Sequence, residues 1–276
     1  PARDPSRLVM GGIDPFVVRL LVSFVVGGVW ITLTSVAAET FGSRIGGFLG
    51  GLPSTIVVAL TAIGWTQGAE RAYHATTALP LAFGVNCVFL LVYAALVHRG
   101  MALGLGGALG AWGALQAILV WRGVSHYGLA LLGWAVMLVG AYVLMVRVLR
   151  VRPHERVAVR RGRWDIPARA VLSGGIIVLA VALSNVGGPV LGAVMAAFPA
   201  VYVSTLAITA RSVSVAFSRS LVVPLMVSAV VNCVVFGTAY RYTVLDVGLV
   251  GAAAAGYGAA LVSAAGTYWF LRRRAA

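Results

Sequence analysis

Nine stretches of the chain are apolar at nearly every position, and the polar residues gather in the short gaps between them. The stretches run over 16–38, 45–65, 75–97, 101–121, 127–149, 168–186, 190–210, 220–240 and 247–271. Each approaches the ~20 residues that a helix needs to cross the hydrocarbon of a bilayer. Most gaps are brief and carry charge or turn residues: Glu39 to Arg44, Gln67 to Arg71, His98-Arg99-Gly100 and Arg122 to His126. One long polar stretch, Arg150 to Pro167, interrupts the series. The pattern predicts an all-α polytopic membrane protein with nine transmembrane helices.

Composition narrows the function classes. Of 276 residues 61% are hydrophobic and only 10% charged, with a mean hydropathy of +0.97. That balance excludes a soluble enzyme, a nucleic-acid reader and a fibrous protein. The net charge of +14 therefore acts on topology, not on nucleic acid. Sorting the arginines onto alternate sides places those of the 150–167 loop, Arg44, Arg99, Arg147, Arg169, Arg211, Arg219 and the Arg272 to Arg274 cluster together. Arg3, Arg7, Arg19, Arg71, Arg122 and Arg241 fall on the other side. The arginine-rich side is expected to face the cytoplasm of a plasma (inner) membrane, with the N-terminus outside and the C-terminus inside. Cys87 and Cys233 lie within apolar segments and read as free thiols.

The chain repeats itself. The run Gly46 to Pro53 aligns with Gly192 to Pro199 at an offset of 146, and Asn86-Cys87-Val88 aligns with Asn232-Cys233-Val234 at the same offset. Gly110 and Leu115 match Gly256 and Leu261, while Pro80-Leu81 pairs with Pro224-Leu225 at 144, which implies a two-residue insertion in the second copy. Arg19 and Ser23 pair with Arg169 and Ser173. Each copy holds four spans, and the ninth, 127–149, belongs to neither. A single intervening span reverses the second copy, as in inverted-repeat transporters. The expected organisation is an N-terminal segment 1–15, repeat 1 over 16–121, the linker span 127–149, a basic loop 150–167, an inverted repeat 2 over 168–271 and a tail 272–276.

Within each copy a span leads into Gly46-x-x-x-Gly50-x-x-Pro53-Ser54-Thr55, or its counterpart, followed by a proline-containing third span and a small-residue fourth. This pattern resembles the GlpM-like family of small four-helix bacterial membrane proteins. The resemblance covers each half but not the linker span, and this chain carries two copies. It implies a four-helix membrane unit and a connection with exopolysaccharide production.

Several residues stand out as chemistry. Gly42, Gly46 and Gly50, with Gly188, Gly192 and Ala196 in the second copy, form small-residue ladders that let helices approach closely. Pro53 and Pro199 fall inside predicted spans, where a proline removes a donor and frees a carbonyl. Ser54 and Thr55 follow the first, and Tyr202, Ser204 and Thr205 the second. Asn86 and Asn232 place amides in hydrocarbon, which is costly without partners. Pro53, Ser54, Thr55, Asn86, Pro199, Ser204, Thr205 and Asn232 are thus the expected substrate- or ion-binding residues, converging near the bilayer midplane. Matched Arg19 and Arg169 are expected to snorkel to headgroups. No carboxylate occupies a span centre, and no catalytic or metal motif is present in the sequence, so enzyme activity is not expected. The expectation is a transporter or channel for a small polar or anionic solute, with Na⁺ as a conceivable coupling ion and homo-oligomerisation compatible. The alternative is a non-transporting membrane subunit or lipid-handling partner in envelope polysaccharide assembly.

Overall fold

The computed structural model describes residues 17–26, 28–29, 53–151 and 164–275, and every regular element in them is helical. In chain order, α1 is Val17–Val26, α2 Ser54–Gln67, α3 Ala69–Leu96, α4 Met101–Arg122 and α5 Tyr127–Val143. A wide turn over Leu144–Val148 extends α5. Then follow α6 Asp165–Gly187, α7 Pro189–Ala196, α8 Ala200–Ser212, α9 Val215–Ser220, α10 Val222–Leu225 and α11 Val231–Ala275. Among the described residues five helical stretches are long and apolar enough to cross a membrane: Ala69–Arg99, Met101–Arg122, Tyr127–Val148, Pro189–Ser212 and Val215–Trp269. The protein is accordingly a multi-pass membrane protein, at home in a lipid bilayer. Of the first predicted span, 16–38, only α1 and its neighbours at 28–29 are described, and the Gly42, Gly46, Gly50 ladder lies outside the described residues.

Burial ranks the helices from centre to periphery. In the most apolar window of the α3 stretch 67% of positions are buried within the protein, against 22% for α4 and 17% for the α5 stretch. α3 is therefore the axis of the molecule, and α4 and α5 turn most of their apolar surface outward, where lipid replaces protein as neighbour. Leu129, Leu132, Val136 and Val139 of α5 are all exposed in this way. Helices α4, α5, α7 and α11 pack around α3. Where α5 meets α3, a side chain on Gly84 would lie 3.1 Å from the Trp134 main chain, so the small residue sets the approach.

Two hairpins organise the bundle. α3 turns at Gly100 (φ 132) into α4. The 55-residue stretch Val215–Trp269 folds back at Gly248 (φ 73), bringing Phe236 against Gly256 and Asn232 against Ser263. Both turns need the left-handed backbone that glycine adopts without a Cβ penalty. The predicted spans 220–240 and 247–271 are thus two antiparallel arms of one helical hairpin. α1 crosses α6 antiparallel, with Phe24 on Gly174 and Gly28 near the Ala170 carbonyl.

The prolines behave differently from one another. α3 continues through Pro80. Pro224 is followed by a wide π-type turn over Met226–Val230, which accommodates extra residues in a helix. It falls between Pro224 and Asn232, where the second copy has its two additional positions. Pro53 and Pro199 each stand immediately before the first residue of a helix, α2 and α8 respectively. For Pro199 the expected single span 190–210 is two helices, α7 and α8, separated by Ala197, Phe198 and Pro199.

Candidate functional site

The break between α7 and α8 is held by a polar network reaching from α3 and α4. Where a helix stops inside a membrane, its last carbonyls need partners other than water. Ala197 O accepts a hydrogen bond from Asn86 Nδ2 at 3.0 Å. Asn86 Oδ1 in turn accepts from Trp112 Nε1 at 2.8 Å. The Trp112 ring meets Phe198 edge to face at 5.2 Å, so both ends of the indole hold the break in place. Beyond Pro199 the new helix begins with its main-chain Val203 N–H donating to Pro199 O at 2.8 Å.

One turn along α4 from Trp112, Gln116 donates through Nε2 to Ala82 O at 3.0 Å. Its Oε1 is buried and has no partner among the described residues. An unsatisfied amide oxygen at this depth costs about 1–3 kcal/mol. Asn86 is 1% exposed and Gln116 2%, so bulk water does not relieve it. An acceptor so placed can receive a donor hydrogen of a polar solute or contact a cation.

In the second hairpin, Asn232 Oδ1 accepts from Ser263 Oγ at 2.8 Å. Each asparagine thus takes a hydrogen bond from the returning arm of its own hairpin. The matched cysteines are both buried, as is Tyr202 of α8. Tyr202 also packs against Phe89, with ring centroids 6.5 Å apart. The structure therefore brings Asn86 to the break at Pro199 and packs Tyr202 of the following helix against α3. Ser204 donates within its own helix to Val201 O at 3.1 Å. Thr205 is half-buried on α8 and its carbonyl accepts from Thr209 Oγ1 at 2.7 Å. Pro53 is buried and Thr55 half-buried at the start of α2; the side chain of Ser54 and the residues before Pro53 lie outside the described set.

Two residues central to this network, Trp112 and Gln116, were not among the expected site residues. Their signal was present in the sequence: an indole and an amide four positions apart share one helical face, in a span otherwise rich in small residues.

A second set of contacts ties each hairpin to helices of the other half. Tyr240 donates through its hydroxyl to Leu60 O at 3.4 Å. Tyr93 donates to Ser218 Oγ at 2.7 Å, and Ser218 donates onward to Leu206 O at 2.8 Å. Leu60 and Leu206 are separated by the 146-residue offset of the sequence match, and Tyr93 and Tyr240 by one residue more. Small-residue packing is realised in α7, where a side chain on Gly192 would meet Ser184 Cβ at 2.6 Å and Ile63 Cδ1 at 3.3 Å. Gly110 and Gly256 differ despite their match: Gly256 faces the Phe236 ring, whereas the space beside Gly110 is open. Arg19 reaches Thr66 O at 3.5 Å, and the side chain of Arg169 lies outside the described set.

Comparisons with protein-family models, curated proteins and solved structures give no match. The resemblance of each half to the GlpM-like family rests on its motif residues alone.

Proposed function

We propose that the chain is a nine-span inverted-repeat protein of the plasma membrane that transports or conducts a small polar or anionic solute between its two halves. The observation that carries this reading is the orphaned Gln116 Oε1, buried beside the Asn86–Trp112 network at a proline-marked helix break. Broken helices with irregular backbone at membrane depth are how many transporters bind solutes. Inversion draws support from the Tyr240–Leu60 bond, its counterpart through Ser218 from Tyr93 to Leu206, and the antiparallel crossing of α1 and α6. The unpaired acceptor favours, within that class, a solute bearing donor hydrogens or a coupling ion such as Na⁺.

Flux into proteoliposomes containing only this chain tests the proposal, with a panel of sugars, amino acids and inorganic ions. Gln116→Leu is expected to abolish flux of whichever solute moves while leaving the protein folded and inserted. Absence of flux across the panel, or unchanged flux in the leucine variant, would remove the proposed site. The alternative, a non-transporting subunit or lipid-handling partner in envelope polysaccharide assembly, is favoured by one feature. Asn86 commits both its oxygen and its amide nitrogen to protein partners, as a packing clamp would.

A further inference from the structure

Two arginines of the Val215–Trp269 stretch bridge to the same neighbours at opposite ends, in electrically opposite settings. Arg219 donates through Nε to Ala94 O and through Nη2 to Leu149 O, both at 2.8 Å. Ala94 is in the last turn of α3, and Leu149 ends the turn that extends α5. The C-terminal ends of helices carry partial negative charge, so this guanidinium is balanced where it sits.

Arg241 lies at the other end of the same helices. Its Nη1 donates to Tyr73 O (3.2 Å), Thr76 Oγ1 (3.0 Å) and Thr77 Oγ1 (3.0 Å), and its Nη2 donates to the Tyr73 hydroxyl (2.9 Å). The guanidinium carbon stands 4.0 Å from the Tyr73 ring centroid and 4.7 Å from that of Tyr127. Tyr73 is in the first turns of α3 and Tyr127 is the first residue of α5. Both helix starts present positive partial charge. None of these partners is a carboxylate, and the nearby Glu70 lies against His74 at 3.8 Å. Two ring faces attract the cation, but they do not neutralise it.

The hydrogen-bond inventory points the same way. Thr76 donates to Tyr73 O at 2.6 Å. Thr238 donates to Val234 O at 2.7 Å, so in its 2.6 Å bond with Tyr127 the phenol is the donor. The hydroxyl protons of Tyr73 and Thr77 reach no acceptor among the described residues, and neither does Arg241 Nε. Thr77 is 8% exposed and Tyr73 half-buried, so both side chains lie at the margin of the protein. A fixed cation ringed by uncommitted donors, with two helix starts behind it, calls for an anionic acceptor.

We propose that Arg241, Tyr73 and Thr77 form a phosphoryl-anion site at the membrane end opposite Arg219. The Tyr73 and Tyr127 rings hold the guanidinium plane, and the two hydroxyls with the free guanidinium N–H groups coordinate the phosphoryl oxygens. The phosphoryl group belongs to free phosphate or to the headgroup of an anionic lipid. The inference does not rest on transport, since it concerns binding at a different place in the fold.

The test is the apparent Tm of the full chain in neutral detergent. One arm adds inorganic phosphate against chloride at matched ionic strength; the other adds phosphatidylglycerol against phosphatidylcholine. A ligand that prefers the folded state raises Tm, here by about 2–8 °C. A rise with phosphate identifies the free anion, and a rise with phosphatidylglycerol alone identifies the headgroup. Arg241→Gln should abolish the rise, Thr77→Val and Tyr73→Phe should weaken apparent affinity about tenfold, and Arg219→Gln should leave the rise intact. The two shape-preserving variants keep the test decisive if Arg241→Gln does not fold. No rise with either probe, or an unchanged rise in Thr77→Val and Tyr73→Phe, overturns the site.

Discussion

Asn86 shows how one amide decides local structure in a membrane. Its two hydrogen bonds hold Ala197 O and Trp112 Nε1, groups with no water to fall back on. Asn86→Leu would leave both unpaired at once. Interhelical hydrogen bonds in membranes average only ~0.6 kcal/mol, but orphaning buried partners costs about 1–3 kcal/mol. The second figure governs here, because leucine supplies no substitute donor or acceptor. The neighbouring Cys87 thiol is fully buried and provides the readout: its modification by a thiol reagent against denaturant should shift to lower denaturant, by that free energy divided by the denaturant slope. An unchanged midpoint would mean that Asn86 is not the clamp. The cost of burying an amide made Asn86 and Asn232 visible in the sequence. The partner of the Asn86 amide nitrogen was not visible, because Ala197 takes part through a carbonyl with no side-chain signature, 111 positions away.

At the scale of elements, close helix approach is set by which glycines face backbone and which face flexible side chains. A Cβ on Gly104 would lie 2.9 Å from Val97 Cα, so the turn from α3 into α4 would have to shift its main chain. A Cβ on Gly237 would meet only Leu79 Cδ2, at 2.5 Å, and a leucine terminus can rotate away. Gly104→Ala is therefore expected to destabilise by about 1–3 kcal/mol and Gly237→Ala by less. Denaturant unfolding in mixed micelles measures both, and equal effects would refute the distinction. The second arm of the first hairpin and the linker were legible, 101–121 against Met101–Arg122 and 127–149 against Tyr127–Val148, whereas α3 begins at Ala69, six residues before the expected 75 and within the expected gap. The fate of Pro199 was not. A proline within an apolar run fits either a kink or a break, and which occurs depends on whether a neighbour supplies donors to the freed carbonyls, as Asn86 does.

The whole molecule has two distinguishable ends. Ala94, Leu149 and Arg219 meet at one, while Tyr73, Tyr127 and Arg241 meet at the other. The first end also receives Arg99 and Arg147, in the last turns of their helical stretches. Arg122 closes α4 at the second end. The proposed orientation, with the first end in the cytoplasm, rests on this arginine excess and on the arginines of the 150–167 stretch that follows Leu149 in the sequence. In that orientation the proposed phosphoryl site, at the Arg241 end, is expected to face the outside. A reporter fused within 150–167 or after Ala276 should be cytoplasmic, and one inserted at Gly68 or Gly123 external. Inversion makes a sharper demand: the turn at Gly100 should be cytoplasmic and the equivalent turn at Gly248 external. Glycines at both turns have positive φ. Finding Gly100 and Gly248 on one side of the membrane would make the repeats parallel and remove the symmetry on which the central transport interface is built.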